Sequence, residues 1–178
     1  MAVQLNLHTV AEFEHFCVLP DNRDRQFELI HGEIVEKAMP TEEHGVIVLR
    51  LGARILAYVE RIQSGRVGTE IGTRMPGDEH NARQPDISYF ADESRPLAQM
   101  PDLAVEVRSP DDSYQALRAK ADYYLANGTQ AVWLIFPETQ RVEVHRRGHL
   151  DTLTAEDVLD GGSVMPGFSL PVRDIFPA

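Results

Sequence analysis

A single cysteine, Cys17, stands in a chain of 178 residues. One thiol can form neither an internal disulfide framework nor a structural zinc site built from several thiolates. Cys17 itself reads as a small buried apolar side chain. Long apolar runs are also missing: none approaches the roughly 20 residues that span a bilayer, and no basic stretch followed by an apolar signal segment occurs near the N-terminus. The expectation is a cytoplasmic protein with no membrane association. Positive charge is scarce as well. Seventeen Lys and Arg against 28 Asp and Glu give a formal charge of −11 and a pI near 5.0, a poor footprint for gripping nucleic acid through a broad basic face. A handful of metal-binding carboxylates would account for only a few of these acids. There is no G-x-S-x-G elbow, no phosphate loop ending in Gly-Lys-Ser or Gly-Lys-Thr, and no H-E-x-x-H, which removes those enzyme classes as motif readings. Internal repeats, low-complexity tracts and obvious linkers are absent too.

What is present reads as one α/β domain spanning residues 1–178, since 43% hydrophobic content over this length can fill one core. Thr9 followed by Glu12 forms a capping-box pattern ahead of Phe13, Phe16 and Cys17, predicting a short helix that Leu19-Pro20-Asp21-Asn22 ends. Phe27 to Lys37 reads as two short strands around His31-Gly32. From about His44 to Ile62, Val48, Leu51, Ile55, Val59 and Ile62 fall at helical spacing, with Arg50, Arg54 and Arg61 off that stripe. Strands are expected at Arg66–Arg74, Gln84–Phe90 and Asp102–Arg108, then a helix from Ser109-Pro110-Asp111-Asp112 to about Ala126, then strands at Ala131–Phe136 and Arg141–Arg147. This order suggests a mixed sheet with a helix packed on each side.

Two carboxylates stand out. Asp86 opens one expected strand and Glu106 lies within the next, so adjacent strands could bring them to one spot, and magnesium-type ions bind through one or two carboxylates plus water and phosphate. Alternation places Glu106 opposite Leu103, Val105 and Val107; if a helix covers that face, a carboxylate there is costly without a partner. Taken singly, Asp86 is also explained as a turn or strand-edge aspartate, and Glu106 by a salt bridge to Arg108 or to a helix lysine. Lys120 shares a helical face with Leu117, Ala121 and Tyr124. Its ammonium could stabilise charge growing on a phosphate, or its stem could simply pack while the head reaches water. His44 could contact phosphate or assist proton transfer, or be a cap neighbour on the surface. His145 and His149 are expected to face solvent.

The stretches Phe27-Glu28-Leu29-Ile30-His31-Gly32-Glu33-Ile34-Val35, Gln84-Pro85-Asp86-Ile87, Asp102-Leu103-Ala104-Val105-Glu106-Val107-Arg108-Ser109-Pro110 and the Lys120–Tyr124 segment together resemble the Uma-type restriction-endonuclease-like family of the PD-(D/E)XK nuclease superfamily. Glu43-His44, Val132-Trp133-Leu134-Ile135 and Pro166-Gly167-Phe168-Ser169-Leu170 extend the likeness over nearly the whole chain. The order and spacing carry the resemblance; each motif alone is weak.

The resemblance implies a restriction-endonuclease-like mixed β-sheet flanked by helices, with an N-terminal helix and β-hairpin. It also implies Asp86 and Glu106 as ligands of Mg2+ or Mn2+, and Glu28 as a further acidic member. The superfamily pattern places a lysine two residues after the second acid. Arg108 stands there instead, a group too basic to accept a proton readily, and the resemblance implies that Lys120 replaces that lysine in space. The function expected is metal-dependent hydrolysis of phosphodiester bonds, with DNA favoured over RNA by the resemblance alone. The alternative is a non-catalytic binding or assembly module on the same fold, which the acidic surface would suit. A homodimer is a further expectation, because such nucleases cut two strands with two copies, and Tyr123, Trp133 or Phe136 would then lend apolar surface.

Overall fold

The computed structural model describes residues 7–96 and 98–177. Helix α1 (Val10–Cys17) begins at the expected capping box: the Glu12 N–H donates to Thr9 Oγ1 at 3.3 Å and the Thr9 N–H to the Glu12 carboxylate at 2.8 Å. Two of the four N–H groups that a helix start leaves orphaned are addressed this way. Val10 and Phe13 pack on Phe27 and Leu29, while Cys17 lies at the edge of this cluster, half-buried rather than within it.

Phe27 and Leu29 belong to β1 (Phe27–Ile30), which pairs antiparallel with β2 (Glu33–Glu36). Between them His31 and Gly32 have φ of 50° and 80°, and a two-residue type I′ loop needs positive φ at both positions to match strand twist. A reciprocal pair of hydrogen bonds, Leu29 N–H to the Ala82 carbonyl at 2.8 Å and Ala82 N–H to the Leu29 carbonyl at 3.0 Å, docks this hairpin beside residues 81–83.

Helix α2 (Glu42–Ile62) buries Ile47, Leu51, Ile55 and Tyr58 at helical spacing, with Arg50, Arg54 and Arg61 on its exposed side. Six strands form the main sheet in the order β3 (Arg66–Thr69), β4 (Ile87–Phe90), β5 (Leu103–Val107), β6 (Ala131–Phe136), β7 (Arg141–Arg146) and β8 (His149–Leu153). Only β5 and β6 are parallel, and helix α3 (Tyr114–Ala126) makes the crossover that a parallel pair requires. The strand expected over Arg66–Arg74 stops at Thr69 because Glu70 turns left-handed, at φ 53°.

Alternation sorts the central strands by face. Leu103, Val105 and Val107 of β5, Trp133 and Ile135 of β6, and Val142 and Val144 of β7 join α2 in one core, which Leu159, Phe168, Leu170 and Ile175 close. Leu159 and Leu170 come from a small antiparallel pair, β9 (Val158–Asp160) and β10 (Ser169–Pro171). On the opposite face Ala104, Val132, Leu134 and Phe136 meet Leu117, Ala121 and Tyr124 of α3. This is the mixed, helix-flanked sheet expected from the order of elements.

Two surface expectations fail. Trp133 and Phe136 are core residues, so neither can lend apolar surface to a second copy. His145 is buried on the α3 face of β7, its Nε2 2.9 Å from Glu143, which also takes the Arg118 guanidinium; His149 does face solvent.

Candidate active site

On the α3 face of β5, one residue is not apolar: Glu106, 2% exposed. An isolated carboxylate there would cost several kcal/mol, and α3 supplies two partners. The Lys120 ammonium donates to Oε2 at 3.1 Å and the Tyr124 hydroxyl to Oε1 at 2.7 Å. These two side chains are four residues apart, hence on one helix face. Burial pushes the Glu106 carboxyl up to about 7, the nearby Asp86 and Glu28 charges adding to it and Lys120 opposing it. Burial works against the Lys120 ammonium too, but the pull of Glu106, Glu28 and Asp86 wins and holds it above the ordinary lysine range. The Tyr124 hydroxyl is likewise raised, by burial first and then by Glu106.

Glu28 reaches the same lysine from β1, with Oε2 3.3 Å from Lys120 Nζ and 4.0 Å from the Arg83 guanidinium. Its other oxygen accepts the Gln84 N–H at 2.9 Å. This contact depends on the docking of Leu29 against Ala82, which fixes β1 beside the segment that leads to Asp86.

Asp86 sits just before β4, where its Oδ2 accepts the Val107 N–H at 2.7 Å, one residue beyond Glu106. The same oxygen is 3.1 Å from His44 Nε2, and Oδ1 is 3.5 Å from the Lys37 ammonium. Burial would raise the Asp86 carboxyl, but the His44 hydrogen bond and the Lys37 charge outweigh it and hold the group below the usual range. Conversely, burial lowers the His44 imidazole and the Asp86 partnership more than offsets this, leaving it raised. His44 is in the first turn of α2, its N–H donating to Thr41 Oγ1 at 3.2 Å. It is therefore both a cap neighbour and an inward-facing side chain.

Glu28, His44, Asp86, Glu106 and Lys120 all line one cleft of about 190 Å³. Arg108 does not join them: it reaches Glu138 at 3.1 Å and lies 4.7 Å over the Tyr114 ring. Of the two partners that Glu106 offered in sequence, the helix lysine is the one it takes. Lys37, Arg83 and Glu70 also belong to this neighbourhood and carry no sequence motif. Lys37 had one signal, being one of only two lysines in the chain. Among the described residues, no group of three or more His, Cys, Asp or Glu closes on a point where a metal ion could sit. No described helix is long and apolar enough to cross a membrane.

A mixed sheet with one parallel pair, a crossover helix on one face and a buried strand glutamate sharing a cleft with an aspartate that precedes the adjacent strand defines a restriction-endonuclease-like α/β protein. Residues 10–173 match the family model described as "Uma2: Putative restriction endonuclease", and the chain belongs to that family. A crystal structure described as "a putative nuclease belonging to DUF820 from Anabaena variabilis ATCC 29413" is 28% identical, with a TM-score of 0.80 over 94% of this chain and 97% of that one. A cryo-EM structure of a DrdV–DNA complex matches 60% of this chain and 12% of its own at 14% identity, with a TM-score of 0.35 that carries no fold assignment. A comparison with curated proteins returns no match.

Proposed function

We propose that this protein is a divalent-metal-dependent nuclease that hydrolyses phosphodiester bonds, in DNA rather than RNA. One observation carries the reading: three carboxylates from three separated segments, Glu28, Asp86 and Glu106, converge on one cleft with Lys120 among them. A fold has no packing reason to gather them, since each pays its own burial cost and repels the charge of the others. The preference for DNA draws on the family description.

The donor set suits a hard cation. Asp86 and Glu106 offer carboxylate oxygens alone, and Mg2+ binds through one or two of these while keeping waters and substrate phosphate as its other ligands. A metal ion bound there would supply Lewis-acid polarisation of the phosphate and an activated water. In such a hydrolysis, water oxygen would bond to phosphorus and release a proton to solvent, the bond to the leaving oxygen would break, and that oxygen would take a proton from solvent. Lys120 places its ammonium where charge grows on the phosphate, worth roughly a hundredfold or more in rate for a positioned donor. Glu28 and Glu106 hold that ammonium between them. His44 and the Val107 N–H fix the Asp86 carboxylate in orientation.

The test is cleavage of plasmid and single-stranded DNA, and of RNA, in Mg2+ or Mn2+ by the wild type beside Asp86→Ala, Glu106→Ala and Lys120→Ala, with ion binding followed by calorimetry. Expected are ion-dependent DNA cleavage, its loss in all three variants, and loss of ion binding in the first two. A wild type that neither binds the ions nor cuts would instead leave a non-catalytic binding or assembly module, with the carboxylates neutralised permanently by the lysines.

A further inference from the structure

Lysine is nearly absent from this chain. Of its 17 basic residues all but Lys37 and Lys120 are arginine, and both lysines line the same cleft. On a solvated surface the two residue types interchange at little cost. A guanidinium, planar and broad, cannot replace a compact ammonium on a flexible stem where one small movable charge is required. The confinement of both lysines to this cleft therefore marks Lys37 as well as Lys120.

Lys37 follows β2 directly, its N–H extending the hairpin pairing to the Gln26 carbonyl at 2.8 Å. The side chain, 14% exposed, then brings Nζ to 3.1 Å from the Gln84 carbonyl and 3.5 Å from Asp86 Oδ1. Lys120, from α3, pairs instead with Glu106 and Glu28. The two lysines thus pair with different carboxylates of the cluster and are delivered by different segments. The two oxygens of Asp86 are also not equivalent. Oδ2 is held by the Val107 N–H and His44, so Oδ1 is the oxygen left to a cation, and Lys37 occupies that side at a length longer than a good charge-assisted hydrogen bond. The Gln84 carbonyl gives the ammonium a second acceptor that would hold it in the cleft when it leaves Asp86.

We propose that Lys37 is a second functional lysine, an exchangeable counter-ion on Asp86 Oδ1 that gives way to a divalent cation and then presents its ammonium to the substrate phosphate, together with Lys120. The proposal rests on the metal-dependent nuclease reading and adds to it a cation that competes with the metal ion for one carboxylate while serving the reaction that the ion permits. Lys37 therefore opposes ion binding and favours turnover.

Removing it should move the two measurements in opposite directions, which a merely structural side chain would not do. In Lys37→Met, calorimetric titration with Mn2+ should show affinity tighter by roughly three- to tenfold, because a like charge beside the ion is gone. DNA cleavage at saturating Mn2+ should fall by about tenfold or more. Lys37→Arg keeps the charge but not the small movable ammonium, and should bind Mn2+ no more tightly than the wild type while cleaving less. Thermal unfolding of both variants checks that the hairpin remains docked. With a wild type that binds Mn2+ and cuts, unchanged or weaker ion binding in Lys37→Met, or undiminished cleavage, overturns the role of Lys37 and leaves the nuclease reading standing. If the wild type shows neither ion binding nor cleavage, both fall together.

Discussion

Glu106 shows how much a single position can constrain this molecule. Its carboxyl is pushed up to about 7 from an ordinary 4.5, burial being the largest cause. In the ion-free protein it keeps its proton over a range where the unfolded chain has lost it. The contribution to stability is fully present below the unfolded value and is lost as pH rises towards 7. Asp86 has the opposite sign: held below the usual range, it adds stability in neutral solution and loses it only in acid. Thermal unfolding in the presence of a chelator should therefore show a decline between about pH 5 and pH 8 that Glu106→Gln makes shallower, the remainder coming from His44, whose raised imidazole also loses its contribution as pH rises. The amide oxygen can still accept from Tyr124, but the N–H2 then faces the Lys120 ammonium, so this variant should flatten the profile while lowering stability overall. A wild-type profile that is flat across that range, or the same slope in Glu106→Gln, would show that Lys120 and Tyr124 compensate the buried charge fully.

At the level of the element, the β1–β2 hairpin matters more to the site than its size suggests, because it brings both Glu28 and Lys37. Its turn rests on Gly32, at φ 80°, where an added Cβ would stand 2.6 Å from the Leu7 Cβ. Gly32→Ala therefore combines a left-handed conformation that alanine resists with a steric clash, and should cost roughly 1–3 kcal/mol. Chemical denaturation will measure that loss. Cleavage should fall with it even well below the unfolding transition, since tilting the hairpin displaces Glu28 from Lys120. Full cleavage by a destabilised Gly32→Ala would show instead that the cleft tolerates movement of the hairpin. The turn was legible in sequence, as were the capping box at Thr9 and the long helix. The early end of β3 was not, because Glu70 adopts its left-handed conformation within tertiary surroundings, where Gln26 and Gln84 bond to it.

For the molecule as a whole, a formal charge of −11 opposes the approach of a polyanion. Under the proposed function, DNA association should depend on divalent cations more than on basic residues. In a fluorescence anisotropy titration, binding should appear on addition of the ion, vanish with chelator, and weaken only modestly between about 50 and 200 mM monovalent salt, because few phosphate contacts come from Lys and Arg. Tight binding in chelator with a steep salt dependence would point to a basic surface that the net charge conceals.

The sequence by itself determined the class of sheet, the two flanking helices, and Glu106 as a carboxylate facing away from the apolar side of its strand, since these follow from local periodicity and turn chemistry. It also offered Asp86, Lys120 and His44 as candidates, each beside a plain structural reading, and Glu28 through the family likeness alone. Only the tertiary structure decided which partners they take. Lys120 rather than Arg108 meets Glu106, His44 turns inward to Asp86, and Lys37 and Arg83 join from segments that no spacing links to them. The fate of Trp133, Phe136 and His145 was decided in the same way. Periodicity tells which face of a strand a residue occupies, whereas the helix, hairpin or solvent that meets that face is set by packing between elements far apart in the chain.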